Sequence, residues 1–387
     1  MAEGGGDETT QVRRPAGLVD LGVGQPQDAI LPVDLMARAT TLAAARGERH
    51  PLQYGPERGD GPFRTALARF LSSRYGVPVD AAGLLVSNGN SHALDLCCAA
   101  FTQPGDVVLV EDPTYFLALG IFADHGLRVV GVPVDGEGIR LDALADALVA
   151  HSPRLIYVIP TGQNPTGSTM PAERRRQLVA LAREHGALVL ADEVYQLLDY
   201  TGTAPEPLAA QVDSGAVLSL GTFSKILAPG LRLGWVQGGA DLLDVLASRG
   251  QLRSGGGVNP FASGVVTPVL DDGGVDRYLD ELLVLLRGRL DAMDQALRAH
   301  PLRGATYVRP TAGYFFWLRL PDSVDTGAVL PAALEAGAGF QPGRVFSTTG
   351  GCPNFLRLAF SYYDESDISR AVEILSRVFS SAAATPP

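Results

Sequence analysis

An alternation most constrains this chain: short, continuous apolar runs of strand length recur between stretches with helical periodicity. Leu84 to Val86, Val107 to Val110, Arg128 to Val132, Leu155 to Ile159, Leu188 to Leu190 and Val217 to Leu220 are rich in Val, Ile and Leu. Runs of that kind are strands buried on both faces, as in a parallel sheet covered by helices. Between them, Ser91 to Phe101 is apolar around most of its circumference. Pro171 to Glu184 opens on proline and charge and continues amphipathically. The pattern predicts an α/β fold, a mostly parallel sheet sandwiched by helices. The last third differs: a long helix from about Arg277 to His300 leads into a strand at Gly313 to Leu318, with further helix and strand patterns to Phe379. This reads as a smaller α+β lobe. The expected division is a disordered segment 1–16, an N-terminal segment 17–50 joining the small domain, a large domain 51–275, a small domain 276–379 and a disordered tail 380–387.

Composition narrows the function classes. Hydrophobic residues make up 46% and charged residues 19%, enough to build a core and too apolar for a disordered chain. A net charge of −11 argues against a nucleic-acid surface, which needs a basic patch. The three cysteines, Cys97, Cys98 and Cys352, give no disulfide framework and suit a reducing cytoplasm. No signal core and no apolar run of membrane-spanning length is present, so a cytoplasmic protein is expected. None of the six histidines shows metal-ligand spacing, and no metal is expected.

In an open parallel sheet, ligands bind beyond the carboxyl ends of the strands, so the residues after each strand carry the chemistry. Leu84–Val86 runs into Ser87-Asn88-Gly89-Asn90-Ser91-His92 and a helix, a turn that presents backbone N–H groups to a phosphate. Leu155–Ile159 ends in Pro160-Thr161-Gly162-Gln163-Asn164-Pro165-Thr166-Gly167, which adds an amide side chain. Leu188–Leu190 ends in Ala191-Asp192-Glu193-Val194-Tyr195, and Val217–Leu220 in Gly221-Thr222-Phe223-Ser224-Lys225, with Arg232 seven residues on. Each piece alone reads as a turn, a helix cap or a solvated lysine. Together they match pyridoxal phosphate: an amine for a Schiff base, an acid for the pyridine nitrogen, and hydroxyls, amides and an arginine for the phosphate.

The sequence resembles the class I/II aminotransferases, fold-type I pyridoxal-phosphate enzymes, in the style of the 2-aminoadipate and kynurenine branch. The resemblance runs from Leu21-Gly22-Val23-Gly24-Gln25-Pro26 to Leu356-Arg357-Leu358-Ala359-Phe360-Ser361, through Asn164-Pro165-Thr166-Gly167 and Pro229-Gly230-Leu231-Arg232-Leu233-Gly234-Trp235. It implies a large domain with a seven-stranded type of sheet, a homodimer, and transfer of an amino group between an L-amino acid and a 2-oxo acid. By the same resemblance, Lys225 forms the Schiff base and shuttles the proton, and Asp192 pairs with the pyridinium nitrogen. Asn164 and Tyr195 donate to the ring oxygen, with Asn164 also beside substrate, and Tyr115 stacks on the ring. The backbone of Asn90 and Ser91, with Thr222, Ser224 and Arg232, holds the phosphate, joined by Tyr54 from the partner subunit. Arg357 clamps the substrate carboxylate with help from the Gly24 backbone. The bland alternatives are a packed aromatic for Tyr115 and a surface tyrosine for Tyr54.

Two departures stand out. Gly162 occupies a position where relatives often carry a bulky residue, which predicts a cofactor pocket opened on that side. The cradle reads Asn90-Ser91-His92 in place of the commoner Ser-Gln-Gln. His92 reads as a helix-turn cap, and Arg253, in a segment expected near a partner's substrate, as a reader of a side-chain anion. The same residue set supports a second reading, because substrate pose decides which bond breaks, and Gly162 makes it worth carrying: a C–S β-elimination lyase, or a decarboxylation-coupled oxidative deaminase, of a specialised-metabolite pathway. A ligand-sensing regulatory domain is rejected, because only some sixteen residues precede the match, too few for a helix-turn-helix, and the net charge is acidic. A serine hydrolase lacks its Gly-x-Ser-x-Gly elbow.

Overall fold

The computed structural model describes residues 17–382. The segment 1–16 and residues 383–387, both within the ends expected to be disordered, lie outside the described residues. The last helix, Glu365–Ala382, takes in Ser380 and Ser381, beyond the Phe379 limit suggested by composition.

An eight-stranded sheet forms the larger layer, in the order Leu84–Ser87, Gly234–Gly238, Val217–Thr222, Leu188–Asp192, Leu155–Val158, Val107–Asp112, Arg128–Asp135, Gly138–Ile139. The five strands from Val217–Thr222 to Arg128–Asp135 are mutually parallel. Seven strands make the expected sheet, and the eighth is a two-residue hairpin return from the edge. The inner strands are buried along their whole length, which is why their sequences run apolar without alternation. Gly234–Gly238, antiparallel to both neighbours, is also fully buried. Its glycine-bounded sequence carries too short an apolar run to announce a strand.

The smaller lobe is built on a three-stranded antiparallel sheet, Phe315–Arg319, Phe355–Ala359 and Gln341–Pro342. Val19–Asp20 pairs in parallel with Ala338–Gly339, which ties the N-terminal segment to this lobe. The long helix runs Gly274–Ala299, one turn earlier than its apolar periodicity suggests, because Gly273 takes a left-handed conformation just before it. Among the described residues no helix is long and apolar enough to cross a membrane.

Candidate active site

Register brings the separate motifs to one edge. Ser87 and Thr222 both pair with Gly234, so three neighbouring strands are level at that row. The antiparallel strand therefore delivers Arg232 to the edge where Val217–Thr222 delivers Ser224 and Lys225, and where Leu84–Ser87 delivers the turn at Asn88–Asn90. The parallel neighbours bring Asp192, Asn164 and Tyr115 to the same side.

The turn at Asn88 to Ser91 is built to receive a guanidinium. Gly89 has φ 79°, and a Cβ there would stand 3.0 Å from Arg232 Nη2. Only glycine lets the two approach. Arg232 Nη2 donates to Asn88 O at 3.2 Å. His92 Nδ1 accepts the Asn88 N–H at 3.2 Å, and its Nε2 lies 3.5 Å from Gln251 Oε1. Among the described residues no side chain caps the start of the helix Asn90–Phe101. Thr222 Oγ1 donates to Ser224 Oγ at 3.0 Å and accepts the Ser224 N–H at 3.1 Å. An uncapped helix start, a guanidinium and two hydroxyls are the donor set a phosphate dianion requires.

Asp192 is buried and has a donor on each oxygen. Oδ1 accepts from Asn90 Nδ2 and Oδ2 from the Tyr157 hydroxyl, both at 2.6 Å. Asn90 was expected to serve through its backbone; its side chain has a separate task, reaching Asp192 and Leu220 O. Burial raises the Asp192 pKa, while Tyr157, Asn90 and the charge of Lys225 oppose the rise. Lys225 Nζ donates to Gly24 O at 3.0 Å and stands 5.6 Å from the centre of the Tyr314 ring. Burial pushes its pKa down to about 8, assisted by Arg357 and resisted by Asp192. A lysine so placed is a usable nucleophile near neutral pH.

Arg357, in the strand Phe355–Ala359, is buried between two rings, 4.2 Å from the centre of Phe315 and 5.0 Å from that of Phe346. Nη1 donates to Asn164 Oδ1 at 2.8 Å and Nη2 to Gly22 O at 2.6 Å. Nε is buried with no hydrogen-bond partner among the described residues. Burial pushes this pKa down to about 10, against the pull of Tyr195, Tyr115 and Asp20. A stacked guanidinium bonded to neutral acceptors, with Nε unspent, is suited to an anionic ligand. Tyr195 is buried against Tyr314 and Phe315, and Tyr115 stands immediately before the helix Phe116–Asp124.

The Gly162 expectation is corrected. Gly162 has φ 56°, and a Cβ there would meet Gly313 N at 2.7 Å and Ala312 C at 2.8 Å. The space of the missing side chain is filled by backbone of the smaller lobe, so the glycine permits a close approach of two segments and opens no pocket. Tyr54 is 82% exposed, off the site of this chain, and Arg253 is exposed at the end of the helix Gly250–Gly255.

Several residues escaped the sequence reading. Tyr157 left one signal, a phenol in a strand buried on both faces, where a hydroxyl must find a partner. Glu111 and Gln163 left none. Glu111 Oε2 accepts the Ile159 N–H at 2.9 Å and Gln163 Nε2 at 3.3 Å, bracing the turn that carries Asn164. Burial pushes the Glu111 pKa up to about 8 from its ordinary 4.5, with the charge of Asp192 adding to the rise. The folded protein thus keeps a proton that the unfolded chain releases earlier, so stability falls as pH rises between 4.5 and about 8 and levels off above. Glu111→Gln is expected to flatten that fall. Melting temperatures of the two proteins across the window check it, and parallel slopes contradict it.

The family model described as aminotransferase class I and II matches residues 16–375. The chain is 32% identical over 367 residues to aromatic-amino-acid aminotransferase 1 of Thermococcus litoralis, covering 93% of this chain and 87% of that protein. It is 32% identical over 375 residues to the 2-aminoadipate transaminase of Thermus thermophilus, covering 96% and 92%. Its structure is similar to that of kynurenine aminotransferase from Pyrococcus horikoshii, with a TM-score of 0.88, 31% identity and coverage of 96% and 92%.

Proposed function

The chain belongs to the class I and II aminotransferases, and on that premise we propose that its site is organised around Lys225 and Arg357. It is a pyridoxal-phosphate-dependent aminotransferase. When bound, the cofactor supplies the electron sink that makes the α-hydrogen of an amino acid acidic. The residues above fit it. Asn90 and Ser91 N–H, Thr222, Ser224 and Arg232 hold the phosphate, and Asp192 keeps a proton at the ring nitrogen. Tyr115 covers the ring face, and Tyr195 with the Asn164 amide donates to the ring oxygen. Because Asn164 Oδ1 accepts from Arg357, its Nδ2 end is the one left to donate.

Lys225 Nζ would hold the cofactor covalently, and its free amine would carry the α-proton of the substrate from Cα to the cofactor. Arg357 holds the substrate carboxylate, which fixes the α-hydrogen relative to Nζ. Gly24 O accepts from Lys225 Nζ and orients that amine, and a Cβ at Gly24 would stand 3.6 Å from Arg357 Nη2, which suits its backbone to assisting the carboxylate clamp as well. Tyr54, exposed with Leu52 and Phe261 on elements that touch at Pro51 and Gly264, suits a site shared between two copies of the chain. A cytoplasmic setting fits the three free cysteines.

The observation that carries the reading is the pair itself: a half-buried amine bonded to Gly24 O, its pKa pushed down to about 8, and a buried guanidinium with an unspent donor. The elimination reading shares this residue set, and its added motive, an opened pocket, is removed by the backbone packed against Gly162. The test is product analysis with cofactor-loaded protein and candidate amino acids, with and without 2-oxoglutarate. A 2-oxo acid formed together with glutamate, and only with the acceptor present, is expected. Pyruvate and ammonia from an S-substituted cysteine without any acceptor overturn it.

A further inference from the structure

Tyr157 is fully buried in the strand Leu155–Val158. It pairs in register with Leu190, two residues before Asp192 on the neighbouring strand, so Tyr157 and Asp192 lie on the same sheet face. Its ring is fixed edge-on by Phe122, 5.5 Å between centres. The hydroxyl meets Asp192 Oδ2 at 2.6 Å, while Asn90 Nδ2, itself held to Leu220 O at 3.2 Å, meets Oδ1 at 2.6 Å. The two donors come from separate elements and leave the carboxylate one rotamer. Short charge-assisted bonds of this kind favour the ionised acid.

Resting on the assignment of Asp192 to the ring nitrogen, we propose that Tyr157, seconded by the Asn90 amide, is a positioning residue that decides on which side of that contact the proton resides. One proton is shared between the Asp192 carboxylate and the ring nitrogen. With both donors in place the carboxylate is the weaker base and the proton stays on nitrogen. With the phenol gone, buried Oδ2 loses its short charge-assisted bond, the carboxylate becomes the stronger base and the same proton moves to it. The other groups acting on Asp192 are Lys225 and the Val194 backbone N–H, which favour its charge, and Glu111, whose pKa is itself raised by Asp192. Neither of the two side chains donates a hydrogen bond to its oxygens in the way that Tyr157 and Asn90 do. A purely structural account makes Tyr157 a core ring whose hydroxyl has found the nearest acceptor. The two accounts differ in what the nitrogen reports.

The experiment reads the nitrogen directly. Holoenzyme is prepared with cofactor carrying ¹⁵N at the ring position, and its resonance is recorded for the wild type, Tyr157→Phe, Asn90→Ala and Asp192→Asn. The wild type is expected at the protonated frequency. Tyr157→Phe is expected to move toward the unprotonated one, with kcat reduced about ten- to a hundredfold and KM within roughly threefold, the size set by one lost hydrogen bond to a charge. Asn90→Ala moves the resonance the same way and serves if the phenylalanine variant fails to fold. A wild-type frequency in every folded donor variant, whatever its melting temperature, overturns the proposal. Asp192→Asn separates the two levels: if that variant also keeps the ring protonated, the site assignment fails, whereas a shift there without one in the donor variants defeats only the present inference.

Discussion

Replacing Lys225 by alanine is expected to remove the visible absorbance of the cofactor-loaded protein and to reduce transamination by at least about 10⁴-fold, the joint worth of a covalent anchor and a positioned base. Neighbouring groups do not replace it, since the other cations facing the site, Arg357 and Arg232, are guanidinium groups with no basic lone pair to offer. The fold should survive. Lys225 Nζ makes one hydrogen bond, to Gly24 O, and its charge is held against burial, so its loss relieves a desolvated cation. The melting temperature of cofactor-free protein should therefore be unchanged or higher. Because burial sets the amine pKa near 8, its reactivity toward an amine reagent in cofactor-free protein should rise as pH passes through that value, as the neutral form appears. Visible absorbance and full activity in the alanine variant would refute the assignment.

Arg357→Met should lower kcat/KM for an amino acid by about a hundred- to a thousandfold, as expected for the loss of paired charge-assisted bonds to a carboxylate, while cofactor absorbance is retained. Methionine keeps much of the length and packs between Phe315 and Phe346, but leaves Asn164 Oδ1 and Gly22 O without their donor. Arg357→Lys should recover only part. A single ammonium cannot serve both acceptors and also grip a carboxylate with two parallel bonds. Unchanged kcat/KM in the methionine variant would show that the carboxylate is held elsewhere.

The strand ends were legible because each motif follows a run that must be a buried strand. Where a parallel sheet puts its ligands is general to the architecture. Lys225, Asp192 and Asn164 were therefore recoverable one by one, and the structure places them on one edge; Arg357 was read from the resemblance and reaches that edge from the smaller lobe, bonded to Asn164. Tyr157 was half legible, as a polar group in an apolar strand whose partner lay on the adjacent strand. Glu111 and Gln163 were not, since a carboxylate at a strand end looks the same whether it caps a helix or braces a neighbouring turn. Gly162 was misread, because its constraint comes from Gly313, some 150 residues away in sequence.

Sequence alone therefore determined the layer architecture, the order of chemical groups and the cofactor class, all of which follow from local periodicity and from residue types at strand ends. Tertiary structure decided the proton affinities and the shape of the site. Burial drives Lys225 and Arg357 down and Glu111 up, and which donors meet Asp192 depends on the register between strands. Desolvation and hydrogen-bond distance are properties of groups brought together from distant parts of the chain, so neither exists until the sheet and the smaller lobe have closed around the site.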